Sequence, residues 1–214
     1  MDRMINKIER FVKEQMGEDV TGHDWHHVER VRNNALLIAA KENAGDKYII
    51  EMAALLHDIP DEKLNASAEA GREKLDSFLA SLGLEGAVKQ QINEIVYSIS
   101  FKGGQGTELP SFEAKVVQDA DRLDAIGAIG IARAFAFGGK KGQPIYAPEL
   151  TVREHMTLEE YRSGKSSSIN HFYEKLLKLK DLMNTETARR MAEERQSFME
   201  AFLKQFYREW ECDK

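Results

Sequence analysis

Residues 55–63 read LLHDIPDEK: two leucines, an adjacent His57–Asp58 pair, a proline and a charged run. The leucines continue the apolar stretch Ala53 to Leu56 and bury the end of a helix predicted over about Asp46 to His57, which Pro60 stops. A histidine and an aspartate side by side at a helix terminus can both turn toward one point, because the backbone unwinds there. Alone the pair is a weak signal. His-Asp dipeptides arise often by chance, and a helical histidine is more commonly a satisfied core or surface residue.

Outward from this stretch the helical period recurs. Met4, Ile8, Phe11 and Val12 form one stripe, and Val28, Val31, Ala35 and Ile38 form another, in a helix expected to begin near Asp24 and end before Gly45. Glu69 to Leu82 and Glu85 to Ser100 read as a pair broken at Gly83. Ser111 is a candidate N-cap for a helix with Val116, Ala120 and Leu123 on one face. Two long helices are expected at Ile169 to Met183 and Thr185 to Trp210, and the Phe202, Phe206 and Trp210 stripe reads as core or as a contact in a homo-oligomer. Four prolines and almost no Val/Ile/Thr alternation leave little room for a sheet, so the expected class is all-α. The segments 102–110, 137–148 and 162–168 are punctuated by Gly, Pro or Ser and read as loops. Composition shifts sharply nowhere. One domain over 1–214 is expected, with a core of about 1–135 and a helical C-terminal appendage of about 136–214.

Two further strings share the chemistry of His57–Asp58: HDWHHVERV at 23–31 and QDADRLD at 118–124. His27 lies four residues before Val31, at the edge of that helix's apolar stripe. Asp121 lies among Val117, Ala120 and Leu123, where an unpaired carboxylate is costly and a cation removes the cost. Two imidazoles and two carboxylates (His27, His57, Asp58 and Asp121) favour one divalent ion with water in its open positions. Mn²⁺ leads, with Mg²⁺, Fe²⁺ or Co²⁺ next, over a closed tetrahedral zinc site.

The order His…His-Asp…Asp resembles the signature of the HD superfamily of metal-dependent phosphohydrolases. The fuller strings HDWHHVERV, LHDIPDEK, QDADRLDAIGAIGIAR and SSINHFYEKLLKLKDLMNTETAR look like the branch containing small bacterial HD-domain nucleotide pyrophosphohydrolases. The likeness covers nearly the whole chain. It implies a compact helical bundle of the HD-domain type with metal ligands at His27, His57, Asp58 and Asp121. His26 offers a second register, but the H-x-x-R-V spacing selects His27.

Asp61, three residues after Asp58, stands where related enzymes place a carboxylate that orients or deprotonates the attacking water. Its alternative is a solvated loop acid or the N-cap of the next segment. With Lys63 it makes the candidate catalytic pair. Lys63, Arg30 and Arg122 flank the ligand positions and are candidates for holding phosphate oxygens, although Arg122 could equally pair with Asp119 or Asp124. His23 is a candidate for a phosphate or for the surroundings of the metal, as is Asp24. His171 is a candidate for the substrate pocket, and His155 reads as a surface residue. Lys140 and Lys141, with Lys102 and Lys165, lie on the three loops, which could close over a bound nucleotide.

The reaction this implies is cleavage of a small nucleotide, with nucleoside triphosphate to monophosphate plus pyrophosphate preferred. A nucleotide phosphomonoesterase of the 5′-nucleotidase type is the nearest alternative. A non-catalytic module in which the metal only staples three helices is the rival from another class. A structural site needs neither Asp61 nor Lys63, and their presence favours an enzyme. Other chemistries lack their motifs: there is no GxxxxGK[ST] loop, no strand before the Gly103, Gly104 and Gly106 run, and no EF-hand spacing around Asp119, Asp121 and Asp124. Cys212 stands alone, which excludes an internal disulfide framework and a cysteine zinc site. The net charge of −6 argues against general nucleic-acid binding, and no apolar run approaches membrane-spanning length. The amphipathic, acid-containing N-terminus resembles neither a signal nor a transit peptide, so a cytoplasmic protein is expected.

Overall fold

The computed structural model describes residues 2–16, 24–61, 64–99, 109–153 and 165–212. Among them there is no β-strand. The helices are α1 (Asp2–Met16), α2 (Trp25–Glu42), α3 (Lys47–Leu56), α4 (Ala68–Ala80), α5 (Gly86–Ser98), α6 (Phe112–Asp124), α7 (Gly127–Lys140), α8 (Ser168–Glu174) and α9 (Glu186–Trp210). The all-α expectation holds.

The axis of the bundle is α3. Its sequence KYIIEMAALL buries Ile49, Ile50, Met52, Ala53, Ala54, Leu55 and Leu56. A helix apolar around most of its circumference must be enclosed on most sides, and α3 packs against α1, α2, α5 and α6. Each buried Leu, Ile or Met contributes about 1.5–3 kcal/mol relative to exposure. Asp46 caps α3 by accepting from the backbone N–H groups of Tyr48 and Ile49. His57 caps its C-terminus, and Pro60 cannot continue it.

The turn that follows is pinned from two sides. Asn65 Nδ2 donates to the carbonyls of Ile59 and Asp61, each at 2.8 Å. Gly71 of α4 passes so close that a Cβ there would stand 2.5 Å from the Pro60 carbonyl oxygen. The backbone carrying His57, Asp58 and Asp61 is therefore fixed by its neighbours.

The helices α2 and α6 pack on each other and on α3. Asp24 caps α2 through the N–H of His27, at the helix start expected there, and Ser111 caps α6 through the N–H of Ala114, as the sequence predicts. The last helix, α9, packs against α2, α6 and α7. Its Thr185 cap is anchored by Asp119, which is completely buried and accepts four hydrogen bonds of 2.8 Å, from the N–H and Nδ2 of Asn184 and the N–H and Oγ1 of Thr185. Phe202 and Phe206 pack inside the chain, Phe202 against Phe135 and Phe172, while Tyr146 stands edge-on to Phe206 and to Trp210.

Two expectations need correction. The segment 137–148 is not wholly a loop, because α7 runs on through Gly138 and Gly139 to Lys140. Gly138 is a packing position: a Cβ there would meet Ser168 Oγ at 2.2 Å, so its lack of a side chain lets α7 and α8 approach. The single helix expected over 169–183 is instead α8 followed by two 3-10 turns, Leu176–Lys178 and Lys180–Leu182. Leu176, Leu179 and Met183 are all buried, and apolar residues three and four apart fit successive 3-10 turns as well as an α-helix.

Candidate metal centre

Three helix ends converge at one point. His27 lies in the first turn of α2, His57 at the C-cap of α3 and Asp121 near the C-terminus of α6. One donor atom from each lies within 4.8 Å of the other two, a grouping that could hold a metal ion. The two Nε2 atoms face each other at 3.3 Å. Asp121 Oδ1 is 3.6 Å from His27 Nε2 and 3.9 Å from His57 Nε2. Asp58 borders both rings, with Oδ2 3.4 Å from His27 Nε2 and Oδ1 3.4 Å from His57 Nε2. Both imidazoles are buried, whereas the Asp121 side chain is 40% exposed, so the cluster opens toward solvent on the Asp121 side.

The outer ring nitrogens determine what faces inward. His57 Nδ1 lies 2.8 Å from the Ala54 carbonyl, which only accepts, so Nδ1 carries the hydrogen and Nε2 presents a lone pair to the cluster. His27 Nδ1 lies 2.7 Å from Asp124 Oδ2, an arrangement that likewise directs the Nε2 lone pair inward. Asp124 is buried, yet it stays ionised. Burial opposes its charge, but the hydrogen bonds from His27 and Arg30 and the Arg133 guanidinium hold its carboxyl well below the usual range. Burial also opposes charge on His27. The hydrogen bonds to Asp124 and Asp58 and the field of Asp58 and Asp121 outweigh it, raising the pKa to about 9. Without a metal the cluster thus favours a positive charge at its centre, carried by the doubly protonated His27 ring. A divalent cation would take over that role by displacing the Nε2 proton, and the freed lone pair, that of His57 and the nearby carboxylates suit such an ion.

Two of the expected phosphate ligands also have protein acceptors. Arg30 grips Asp124, with Nε 2.6 Å from Oδ1 and Nη2 3.0 Å from Oδ2. Arg122 pairs with neither Asp119 nor Asp124 but donates Nη1 to the Leu182 carbonyl, fixing α6 to the segment before α9. In both cases a protein acceptor fixes the guanidinium. Asp61 follows Asp58 in the pinned turn, its N–H on the Asp58 carbonyl at 3.0 Å. Lys140 closes α7 and Lys141 caps it, about 10 Å along the axis beyond Arg133. His171 is held neutral: burial and the neighbouring Lys175 push its pKa down to about 4. His23, Lys63, Lys102 and His155 lie outside the described residues.

Asp124 and Arg133 escaped the sequence reading. The signal for Asp124 was present: it follows Asp121 by three residues, which on a helix puts both carboxylates on one face. Arg133 Nη1 lies 2.7 Å from Asp124 Oδ2 and reaches it across the turn between α6 and α7.

The HD domain family matches residues 24–126. The chain is 41% identical to the Bacillus subtilis protein YpgQ over 205 residues, covering 95% of this chain and 92% of that one. The crystal structure of an HD-superfamily hydrolase from Bacillus thuringiensis is 45% identical and superposes with a TM-score of 0.78 over 98% of each chain. That of Bacillus subtilis YpgQ in complex with ADP superposes with a TM-score of 0.76 at 38% identity, over 96% of this chain and 97% of that one. The chain belongs to the HD-domain family and is an HD-superfamily hydrolase. Among the described residues no helix is long and apolar enough to cross a membrane.

Proposed function

We propose that the chain is a divalent-metal-dependent hydrolase of small nucleotides that converts a nucleoside triphosphate to the monophosphate and pyrophosphate. The observation that carries this reading is the convergence of His27 Nε2, His57 Nε2 and an Asp121 carboxylate oxygen at the solvent-open end of three buried helices. Binding of ADP by YpgQ supports a nucleotide as the substrate class.

In this reading His27, His57, Asp58 and Asp121 hold one divalent cation, with Mn²⁺ the first choice for its tolerance of mixed nitrogen and oxygen ligands. When bound, such a cation acidifies a coordinated water and polarises a phosphoryl oxygen. The chain's own residues do the rest. The outer hydrogen bonds of the two rings keep both Nε2 atoms aimed at one point, so no reorientation is needed on binding. Asp61, carried by the pinned turn, takes the proton of the attacking water. Lys63 and His23 lie beside this turn and beside α2 in sequence and contact the phosphates. Lys140 and Lys141 meet the far end of a triphosphate, since one cation leaves much of its charge uncompensated.

The test is a hydrolysis screen of nucleoside mono-, di- and triphosphates with Mn²⁺, Mg²⁺ and Co²⁺, with the products separated. Pyrophosphate released from a triphosphate is the expected result. Orthophosphate as the only first product would instead make the chain a phosphomonoesterase, and absence of turnover by the metal-loaded protein would make it a non-catalytic module.

A further inference from the structure

We propose that Asp124 is the positioning residue of the metal centre: it fixes the His27 ring with Nδ1–H turned outward, and Arg30 and Arg133 serve to hold its carboxylate there. This inference rests on the reading of His27 as a metal ligand.

The geometry is close to saturated. Asp124 is 1% exposed and closes α6. Oδ2 accepts from His27 Nδ1 at 2.7 Å, from Arg133 Nη1 at 2.7 Å and from Arg30 Nη2 at 3.0 Å, while Oδ1 accepts from Arg30 Nε at 2.6 Å. A carboxylate gripped by two guanidiniums from different helices, α2 and α7, can neither rotate nor withdraw. Arg133 Nη1 also lies 3.2 Å from His27 Nδ1 and could donate to a lone pair there, but that lone pair would face the Asp124 carboxylate, which only accepts, at 2.7 Å. With Nδ1 protonated, both nitrogens donate to Oδ2 at 2.7 Å, and the longer 3.2 Å approach of Arg133 to Nδ1 is the lesser conflict. That tautomer leaves the Nε2 lone pair facing His57, Asp58 and Asp121. A carboxylate on the outer nitrogen also strengthens the imidazole as a ligand.

A purely structural ion cluster would lower stability in both Arg30→Gln and Asp124→Asn and leave Mn²⁺ affinity alike in the two variants. The positioning role makes them unequal. In Arg30→Gln, Arg133 still holds Oδ2, and Oδ2 still accepts from Nδ1. In Asp124→Asn, the acceptor is weakened and one face of the amide becomes a donor. Dissociation constants for Mn²⁺, measured by electron paramagnetic resonance of the free ion, should rise on the order of 10- to 100-fold in Asp124→Asn. They should rise in Arg30→Gln as well, but by less than in Asp124→Asn, because the carboxylate loses one of its two guanidiniums while its hydrogen bond to the ring remains. Nitrogen-15 spectra of the Zn²⁺-loaded wild type, which need no variant to fold, should show His27 bound through Nε2 with a protonated Nδ1. Equal Mn²⁺ affinity in wild type and Asp124→Asn, or His27 bound through Nδ1, would overturn the inference and leave the metal centre standing. A wild-type protein that binds no divalent cation would overturn both.

Discussion

Asp121 and Asp124 attend opposite sides of one imidazole: Asp121 Oδ1 lies 3.6 Å from His27 Nε2, and Asp124 Oδ2 lies 2.7 Å from His27 Nδ1. Three residues on a helix turn the backbone by about 300°, leaving the two side chains about 60° apart. The gap is wide enough to admit the edge of a five-membered ring. Asp119, on another side of α6, faces away from the ring and anchors Asn184 and Thr185. The three carboxylates of QDADRLD therefore do three different jobs.

Metal content is the first consequence. The purified protein should hold about one divalent ion per chain, since the donors of His27, His57 and Asp121 converge on one point that Asp58 borders. The His57→Ala and Asp58→Ala double variant should lose it. Full occupancy in that variant by elemental analysis would end the assignment of this cluster as the metal site.

Asp61 is expected to separate chemistry from metal binding. Asp61→Asn should retain the ion and lose turnover by on the order of 10²-fold or more, as for loss of a general base. A rate equal to wild type would return Asp61 to the role of a loop acid.

Arg122 should prove structural. Its guanidinium satisfies the Leu182 carbonyl, so Arg122→Ala should lower stability by about 1–2 kcal/mol, as for a lost hydrogen bond from a charged donor. The Michaelis constant for a nucleoside triphosphate should change less than about twofold, because a residue outside the site makes no substrate contact to lose. A large rise in that constant with an unchanged melting temperature would reinstate it as a phosphate ligand.

The pH dependence of stability should carry a signature of His171. Its folded pKa of about 4 lies below the ordinary value of 6.5, so between these values the unfolded chain binds the extra proton. The stability held above pH 6.5 should be lost as pH falls toward 4, by up to about 3 kcal/mol from this group. His171→Phe, which keeps an apolar-tolerant ring and removes the titration, should flatten the denaturation midpoint across that window. An unaltered acid limb in the variant would assign the loss to other groups.

The lysines at the end of α7 test the substrate. If Lys140 and Lys141 meet a triphosphate, replacing both with Ala should raise its Michaelis constant several-fold, while that for p-nitrophenyl phosphate stays nearly constant. Equal effects on both substrates would remove these lysines from the site.

How far the sequence could be read follows the range of the interactions. Caps are local: Ser111 was legible as one, and the start of α2 near Asp24 was legible too, because the acceptor and the N–H it binds lie three residues apart. The residues that meet at the centre were legible because three short strings follow one another in the order His…His-Asp…Asp, which resembles a family signature, and not because any one of them is distinctive alone. The partner of Arg30 was not legible, because Asp124 is 94 positions away and no local pattern links them. The end of α7 was read as a loop because Gly138 and Gly139 look like punctuation, whereas the contact that requires Gly138 comes from Ser168, thirty positions on. Buried Leu176, Leu179 and Met183 could not distinguish one α-helix from two 3-10 turns.

The anchoring of α6 by distant residues also orders events in time. Asp119 takes all four of its hydrogen bonds from residues 65 and 66 positions later, and the Leu123 carbonyl accepts from Arg195, 72 positions later. At about 5–20 residues per second, a ribosome delivers those partners roughly 3–15 s after α6 has emerged. Until then a buried, unsatisfied carboxylate disfavours the docked pose of α6. Every residue of the metal cluster has by that stage been synthesised, but the helix bearing Asp121 has no stable seat. On this argument the nascent chain is expected to hold the cluster residues in an unassembled form until the C-terminal helix docks.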